Sequence, residues 1–336
     1  ISTKAARIRL IAKDKVLSDF GLRRAQGFGG LQASRAAIIG GFDSTSNVLA
    51  AKLFDLIPVG TMAHSFIQSY DDELTAFRKY AETFPDSTVL LIDTYNTLES
   101  GLPNAITVAK ELEESGHQLK GIRLDSGDLA YLSKAARKKL DDAGLSYVKI
   151  VVSNQLDERV IKSLFEQQAP IDVFGVGTNL VIGSPDSALD GVFKLSMCNN
   201  QPRLKISENI QKVTLPGLKK IIRYTDNEGY LQADAITLKD EKNIDRMFHP
   251  FDKEKSKRLK GLNENDLTKL VIKDGKSKIK TESVGIIRER VKDNLSKLSA
   301  EYKRFEFPHI YKVGISEKLM QLREELKTNF SNNNKI

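Results

Sequence analysis

The chain has 336 residues, 40% hydrophobic and 29% charged, an ordinary globular composition with room for one large domain and a smaller one. Lysine plus arginine exceed aspartate plus glutamate by 52 − 44 = 8, but the excess lies in lysine-rich stretches late in the chain without interleaved aromatic side chains, which disfavours a nucleic-acid site. No apolar run reaches the roughly 20 residues that span a membrane, and the single cysteine, Cys198, suits a reducing compartment, so we expect a cytoplasmic protein with neither a nucleic-acid nor a membrane partner.

The first residues predict a helix. Ile1, Ala5, Ile8 and Ala12 form a helical stripe that begins without a preceding cap or turn. From this we expect the chain to be a fragment that lacks an N-terminal part.

Two polar turns follow this helix. The first carries Phe20 and Arg23 beside a glycine. Phenylalanine can stack on a flat ring and a guanidinium group binds carboxylates or phosphates, although a buried phenylalanine and a surface arginine would give the same pattern.

The second turn, residues 42–47, follows a short buried strand predicted at 36–41 and includes Ser46. Its small polar side chains can cap the next helix or donate hydrogen bonds to an anion.

His64 lies in a turn of small residues, 60–65, between an apolar run and an amphipathic helix. The spacing predicts that a strand ends and a helix begins at this histidine. In α/β proteins such a junction is open to substrate, and the backbone N–H groups of the helix attract anions. A structural histidine is the alternative.

Beyond His64 the chain alternates between two patterns. Apolar runs at 89–92, 122–124, 148–152 and 171–176 are separated by amphipathic helical stripes. This alternation predicts successive βαβ units and therefore a parallel sheet. Because polar motifs recur after nearly every strand, a barrel is favoured over an open sheet.

The predicted strand ends carry polar groups that a barrel would bring to one face. These are residues 93–95, the stretch from Arg123 through Asp125 to Asp128, the pair Ser153 and Asn154, and the pair Gly177 and Thr178. Carboxylates at such a place suit ribose hydroxyls or hydrated Mg²⁺, whereas the last four residues offer hydroxyl and N–H groups to a phosphate. Helix caps and turns would explain each motif taken alone.

The later chain predicts antiparallel structure. Asn199 and Asn200 separate two short apolar runs, and 226–229 follows another strand-like run, so both places predict hairpins. Cys198 is expected to pack in the interior. We predict a catalytic barrel over 1–225 and an α+β extension over 226–336, which packs on the barrel or completes a missing N-terminal α/β sandwich domain.

Several motifs, in chain order, resemble those of the nicotinate phosphoribosyltransferase family. They are DFGLRRAQG (19–27), GGFDSTSN (40–47), GTMAHS (60–65), RLDSGD (123–128), GVGT (175–178), KISE (205–208) and YKVGISEKL (311–319). The resemblance covers most of the chain. It implies an irregular TIM-like α/β barrel of the phosphoribosyltransferase type beside an α/β sandwich domain.

The resemblance also implies an activity. Nicotinate and phosphoribosyl pyrophosphate would form nicotinate mononucleotide and pyrophosphate in NAD salvage, with ATP as co-substrate, Mg²⁺ as cofactor and His64 as a phosphohistidine. Asp125 would contact the ribose. The remaining assignments are Phe20, Arg23, Ser46, Thr61 and Arg123 to nicotinate, and Ser153, Asn154, Gly177 and Thr178 to the phosphoribosyl phosphate. The metal ligands are not assigned.

The main choice within this group of enzymes is between an acid and an amide substrate. The related nicotinamide phosphoribosyltransferases use a carboxylate at the position that Ser46 holds, and a carboxylate there would repel nicotinate. We therefore predict nicotinate, with nicotinamide phosphoribosyltransferase as one alternative and a non-catalytic phosphate-binding barrel as the other. The resemblance further implies a homodimer, because an aromatic residue from an N-terminal segment completes the pyridine site of the neighbouring subunit.

Overall fold

A computed structural model describes residues 1–333. The chain divides into two compact units. The first comprises residues 1–189 together with 282–292, and the second comprises residues 190–281 together with the chain from Asp293 onward. The predicted boundary at Thr225 falls instead at the end of a strand within the second unit, because that strand pairs with two others of the same sheet.

The first unit is built on a sheet of six strands, all parallel to their neighbours. The strands are β1 (Val16–Asp19), β2 (Ser44–Thr45), β3 (Val89–Leu91), β4 (Gly121–Leu124), β5 (Lys149–Ser153) and β6 (Val173–Val176). Their order is β2-β1-β6-β5-β4-β3, so the first strand pairs with the last. This is the order of a barrel in which the strands follow one another around the ring.

Helices separate these strands, as the alternating pattern predicts. They are α1 (Ser2–Ala12), α2 (Gly27–Ile39), α3 (Val48–Phe54), α4 (His64–Gln68), α5 (Glu73–Thr83), α6 (Leu102–Glu114), α7 (Leu129–Asp142), α8 (Glu158–Glu166) and α9 (Thr178–Val181). Asp72, Asp128 and Asp157 cap α5, α7 and α8 by accepting backbone N–H groups. The apolar faces of the helices and strands share one core, which confirms the α/β fold class.

The strand predicted at residues 36–41 is wrong. Most of it is the last turn of α2, which ends at Ile39. A short apolar run has no periodicity of its own, and here the helical stripe that begins further upstream decides its conformation.

The two ends of the sheet approach one another at the carboxyl ends of the strands. Beside β2, Thr45 forms an isolated parallel bridge with Pro58, and the chain then leads to Thr61 and His64. The Thr61 hydroxyl accepts a hydrogen bond from Arg123 on β4, 2.9 Å away. The sheet is therefore curved, with the segment beyond β2 placed next to the ends of β3 and β4.

Asp43 connects the segment 282–292 to the rest of the first unit. Its carboxylate accepts hydrogen bonds from the Leu17 N–H at 2.9 Å and from Arg288 at 2.7 Å, and it also pairs with Arg9. Burial alone would raise the pKa of Asp43, but these hydrogen bonds outweigh burial and hold the pKa below its ordinary value of 3.8. The ionised carboxylate is the form that fixes the segment.

The second unit is built on a sheet of six mostly antiparallel strands in the order β12-β11-β16-β10-β9-β13. The strands and helices from residue 190 onward are β7 (Met197–Cys198), β8 (Gln201–Pro202), β9 (Lys219–Thr225), β10 (Leu231–Leu238), β11 (Arg246–His249), β12 (Asp252–Arg258), β13 (Asn263–Asp266), β14 (Ile272–Lys273), β15 (Lys276–Ser277), α10 (Val284–Ser296), β16 (Val313–Ser316) and α11 (Glu317–Asn333). Alternate residues of β10 are buried, as expected of a strand with one face on a core.

Both predicted hairpins are present in this unit. Asn199 and Asn200 have φ values of 49° and 59°, the left-handed conformation that a two-residue turn between β7 and β8 requires. Asp226 organises the turn between β9 and β10 by accepting the Glu228 and Tyr230 N–H groups. The expectation that Cys198 is interior is wrong, because this two-stranded hairpin leaves it exposed. Across residues 1–333, no helix combines the length and the apolar composition needed to cross a bilayer.

Candidate active site

Arg123, the penultimate residue of β4, is the centre of a polar network at the carboxyl ends of the strands. Its Nη1 donates to the Thr61 hydroxyl at 2.9 Å, its Nε donates to the Ser153 hydroxyl at 2.9 Å, and its Nη2 lies 3.0 Å from Asp125 Oδ1. The guanidinium group is thus held on three sides by residues from three segments. Asp125 and Ser153 are also bonded to each other.

His64 is the first residue of α4, and its imidazole faces the ends of β3 and β4. Its Nδ1 lies 3.1 Å from the Thr94 hydroxyl. On the other side of the ring, Nε2 lies 3.8 Å from Asp125 Oδ2 and 4.0 Å from Asp93 Oδ1. The side chain is 41% exposed, and its Nε2 faces two carboxylates.

Asp93, which the sequence placed among the polar strand ends without assigning it a role of its own, is the buried member of this group. Its Oδ2 accepts the Asp125 N–H at 2.9 Å and the Ser126 hydroxyl, and its side chain is only 1% exposed. Within residues 1–333, its Oδ1 is buried without a hydrogen-bond partner. The position of Asp93 directly after a predicted strand was the available signal, and the same signal applies to Thr94.

Phe20 follows the last residue of β1 and lies against β6. Its ring is so close to Gly175 that a Cβ added there would lie 2.4 Å from a ring carbon. The Arg123 Cζ atom lies 5.4 Å from the ring centroid, within the range of a cation–π interaction. An aromatic face and a guanidinium group therefore meet at one point.

A buried pair, Asp19 and Thr45, joins the ends of β1 and β2. The Thr45 hydroxyl donates to Asp19 Oδ2 at 2.8 Å, and Asp19 Oδ1 accepts the Gly21 N–H at 2.8 Å. The Ser46 N–H donates to the Asp19 carbonyl oxygen at 2.8 Å. Sequence reasoning did not assign either residue of this pair, although each immediately precedes a predicted site residue.

The other predicted residues lie at strand ends, but their side chains are outside the network. Arg23 is exposed in a short 3-10 turn, Ser46 is half-buried after β2, and Asn154 is exposed after β5 with φ of 89°. Gly177 and Thr178 are half-buried where β6 ends and α9 begins. No hydrogen bond or ion pair within the described residues links these side chains to Arg123 or His64.

The fold and the site together define an α/β protein of the barrel class whose polar and titratable groups meet at the carboxyl ends of parallel strands, where such proteins bind ligands. An imidazole between carboxylates can accept and release a charged group, and an arginine beside an aromatic ring suits a flat anionic substrate.

Comparison with known proteins identifies the family. The model of the nicotinate phosphoribosyltransferase (NAPRTase) family matches residues 16–255, and the model of the nicotinate phosphoribosyltransferase C-terminal domain matches residues 218–323. The chain belongs to the nicotinate phosphoribosyltransferase family.

Individual relatives agree with this result. The chain is 46% identical over 327 residues to the nicotinate phosphoribosyltransferase of Bacillus subtilis, with 94% of this chain and 66% of the relative covered. It is 33% identical to the human nicotinate phosphoribosyltransferase, with 97% and 72% covered. The chain spans just under two thirds of the Bacillus subtilis relative and 65% of the Dictyostelium discoideum relative.

Solved structures show the same fold. The crystal structure of human nicotinic acid phosphoribosyltransferase superposes with a TM-score of 0.82 at 32% identity and covers 97% of this chain and 73% of that one. The nicotinate-nucleotide pyrophosphorylase structure from Pyrococcus furiosus has a TM-score of 0.68 at 26% identity, with 88% and 69% covered.

Proposed function

We propose that the protein joins nicotinate to phosphoribosyl pyrophosphate, forming nicotinate mononucleotide and pyrophosphate for NAD biosynthesis, with ATP hydrolysis coupled through a phosphohistidine at His64. The observation that carries the proposal is the single network that links His64, Asp125, Arg123 and the Phe20 ring. Membership of the family supplies the substrates.

The nicotinate site is proposed at Phe20, Arg123 and Thr61. The pyridine ring would lie on the Phe20 ring, and its carboxylate would replace Asp125 or Thr61 as a partner of the Arg123 guanidinium group, which binds carboxylates in a planar fork. Ser46 and Arg23, at the ends of β2 and β1, belong to the same proposed site.

The phosphoribosyl group is proposed to lie along the ends of β4, β5 and β6. Asp125 would bind the ribose, with the 5-phosphate near Asn154, Gly177 and Thr178. The bond from the anomeric carbon to pyrophosphate breaks while the pyridine nitrogen forms the new bond, and pyrophosphate takes the bonding pair. Positive charge develops on the ribose ring, so a nearby carboxylate stabilises the transition state.

The residues beside His64 fit a magnesium ion. Asp93 Oδ1 is buried without a partner within residues 1–333, and Asp125 Oδ2 lies on the same side of the imidazole. No group of three or more potential ligands occurs among the described residues, and Mg²⁺ is usually held by one or two carboxylates together with substrate phosphates. Asp93 and Asp125 would hold the ion, which when bound would neutralise phosphate charge.

The test uses the chain with nicotinate, phosphoribosyl pyrophosphate, ATP and Mg²⁺, and mass spectrometry to detect nicotinate mononucleotide. We expect product and, with ATP labelled at the γ-phosphate, an acid-labile phosphate on His64. His64→Ala should take up no label and should lose the stimulation by ATP. A chain that binds phosphoribosyl pyrophosphate but forms neither product nor phosphohistidine would be the non-catalytic barrel.

The choice of nicotinate over nicotinamide is tested at Ser46. Ser46→Asp places a carboxylate at the proposed pyridine site, so we expect the KM for nicotinate to rise at least tenfold while nicotinamide becomes the better substrate. Ser46→Ala is the control for loss of the hydroxyl alone. Equal or better turnover of nicotinamide by the unmodified chain would refute the assignment.

The proposal includes a homodimer and a cytoplasmic location. Phe28 on α2 and Val48, Leu49 and Leu53 on α3 are exposed apolar side chains. These helices follow Phe20 and Ser46 closely in the chain, and a second subunit would cover such side chains. Light scattering at several protein concentrations tests the dimer, and fractionation of cells that express the protein tests the location.

A further inference from the structure

The Ser153 hydroxyl already uses its one proton within the protein. Ser153 is the last residue of β5 and is 3% exposed. It accepts a hydrogen bond from Arg123 Nε at 2.9 Å and donates one to Asp125 Oδ1. Asp125 Oδ1 also lies 3.0 Å from Arg123 Nη2, so the three side chains form a closed triangle.

The single hydroxyl proton of Ser153 limits its ability to bind a phosphate. A serine hydroxyl has one proton to donate, and the oxygens of an ionised phosphate only accept hydrogen bonds. For Ser153 to bind a phosphate, its proton would have to leave Asp125, and the nearly complete burial of the residue gives a phosphate no approach. Asn154, Gly177 and Thr178 are exposed or half-buried and do not have this restriction.

The register of the strands places Ser153 between two parts of the site. On one side, β5 pairs with β4 so that the strand ends at Ser153 beside Asp125. On the other side, Ser153 is in register with Gly175 of β6, the residue against which Phe20 packs. A side chain at this point can set the orientation of Arg123 relative to both the aromatic ring and Asp125.

We infer that Ser153 is a positioning residue, which fixes the Arg123 guanidinium group and the Asp125 carboxylate, and that it is not a phosphate ligand. The inference rests on the proposed function, in which Arg123 binds the nicotinate carboxylate and Asp125 the ribose. It replaces the expected role of Ser153 with a role in nicotinate recognition.

Ser153→Ala removes both hydrogen bonds with little change in volume. Arg123 Nε then has no partner, and the guanidinium group can rotate away from the ring. We expect the KM for nicotinate to rise at least tenfold, while the Kd for inorganic phosphate, which has no ribose for Asp125 to contact, stays within twofold of wild type by calorimetry. Ser153→Thr keeps the hydroxyl and should restore the KM for nicotinate to within threefold of wild type.

Ser133→Ala is the matched control, since Ser133 is also buried and, within the described residues, its hydroxyl donates to the Ala130 carbonyl oxygen of its own helix and to no other group. It should leave both constants unchanged. A tenfold weaker Kd for inorganic phosphate in Ser153→Ala would identify a phosphate ligand and overturn the inference, whether or not the KM for nicotinate also changed. Two unchanged constants would overturn it equally.

An assay of the wild-type chain distinguishes failure of this inference from failure of the proposed function. If wild type forms no nicotinate mononucleotide, the proposed function fails, and the inference is then decided by nicotinate binding, measured by saturation-transfer NMR on wild type and Ser153→Ala. Weaker nicotinate binding by the variant supports a positioning role. Equal binding, or no binding by either protein, overturns it.

Discussion

Replacing Thr45 by valine removes one hydroxyl group from the interior of the first unit and preserves the branched shape of the side chain. Thr45 is fully buried and Asp19 is 2% exposed. The hydroxyl donates to Asp19 Oδ2 at 2.8 Å and accepts the Asn47 N–H at 3.1 Å. Both groups lose a partner in the variant, and no water can replace it without a change in packing.

The magnitude follows from these two bonds. A hydrogen bond to a charged group contributes about 1.5–3 kcal/mol, and an unpaired buried N–H costs about 1 kcal/mol or more. We therefore expect Thr45→Val to lower the free energy of unfolding by about 3 kcal/mol. For a unit of this size, the midpoint of thermal unfolding should fall by about 6–12 °C.

Differential scanning calorimetry of wild type, Thr45→Val and Thr45→Ser measures this effect. Thr45→Ser keeps the hydroxyl and removes only a buried methyl group, at a cost of about 1 kcal/mol. Thr45→Val should therefore be the less stable variant, and faster hydrogen exchange at the Ser46 amide should show that the ends of β1 and β2 have separated. A Thr45→Val protein as stable as Thr45→Ser would refute the reasoning.

Three further predictions follow from other contacts. Gly175→Ala should displace the Phe20 ring, because the new Cβ would lie 2.4 Å from a ring carbon, and should raise the KM for nicotinate in steady-state assays at least tenfold more than the KM for phosphoribosyl pyrophosphate. The folded-state pKa of Asp43 is lowered, so its contribution to stability is complete above its ordinary pKa of 3.8 and is lost below that value, as the pH falls through the folded pKa. Urea unfolding from about pH 5 down to about pH 2 should show this loss, and Asp43→Asn should reduce it. Lys4→Met removes one partner of the buried Glu158 carboxylate and should lower the free energy of unfolding by about 2–4 kcal/mol, whereas a thermal midpoint equal to wild type would contradict a role for this pair.

The hydrogen bonds of Arg123 determine how a substrate carboxylate can reach it. Arg123 already has a partner for Nε, Nη1 and Nη2, so a substrate carboxylate has to exchange with one of them. Thr61 and Ser153 are the neutral partners, and their hydrogen bonds lack the attraction between opposite charges that holds Asp125. Ser153 is buried whereas Thr61 is half-buried, so Thr61 is the partner that a substrate can replace. Exchange at Thr61 would leave the Arg123–Asp125 pair intact beside the ribose.

The sequence by itself was sufficient for the class of fold. Apolar runs separated by helical stripes predicted β3 to β6 and the helices between them, because hydrophobic periodicity is a local property of the chain. The Asn199–Asn200 and Asp226–Gly229 turns were likewise predictable from the conformations that their residues favour. Where the pattern was short, as at residues 36–41, the local signal failed.

Only the tertiary structure decided which polar residues are partners. Arg123 and Thr61 are 62 positions apart, and His64 and Thr94 are 30 apart; such contacts depend on strand order, register and curvature, which no local pattern encodes. Burial is decided in the same way, and so the sequence could not distinguish the enclosed hydroxyl of Ser153 from the exposed side chain of Asn154 that follows it. Sequence pattern placed polar groups at the strand ends, and the packing of the strands determined which hydrogen-bonding groups are already satisfied and which remain for a ligand.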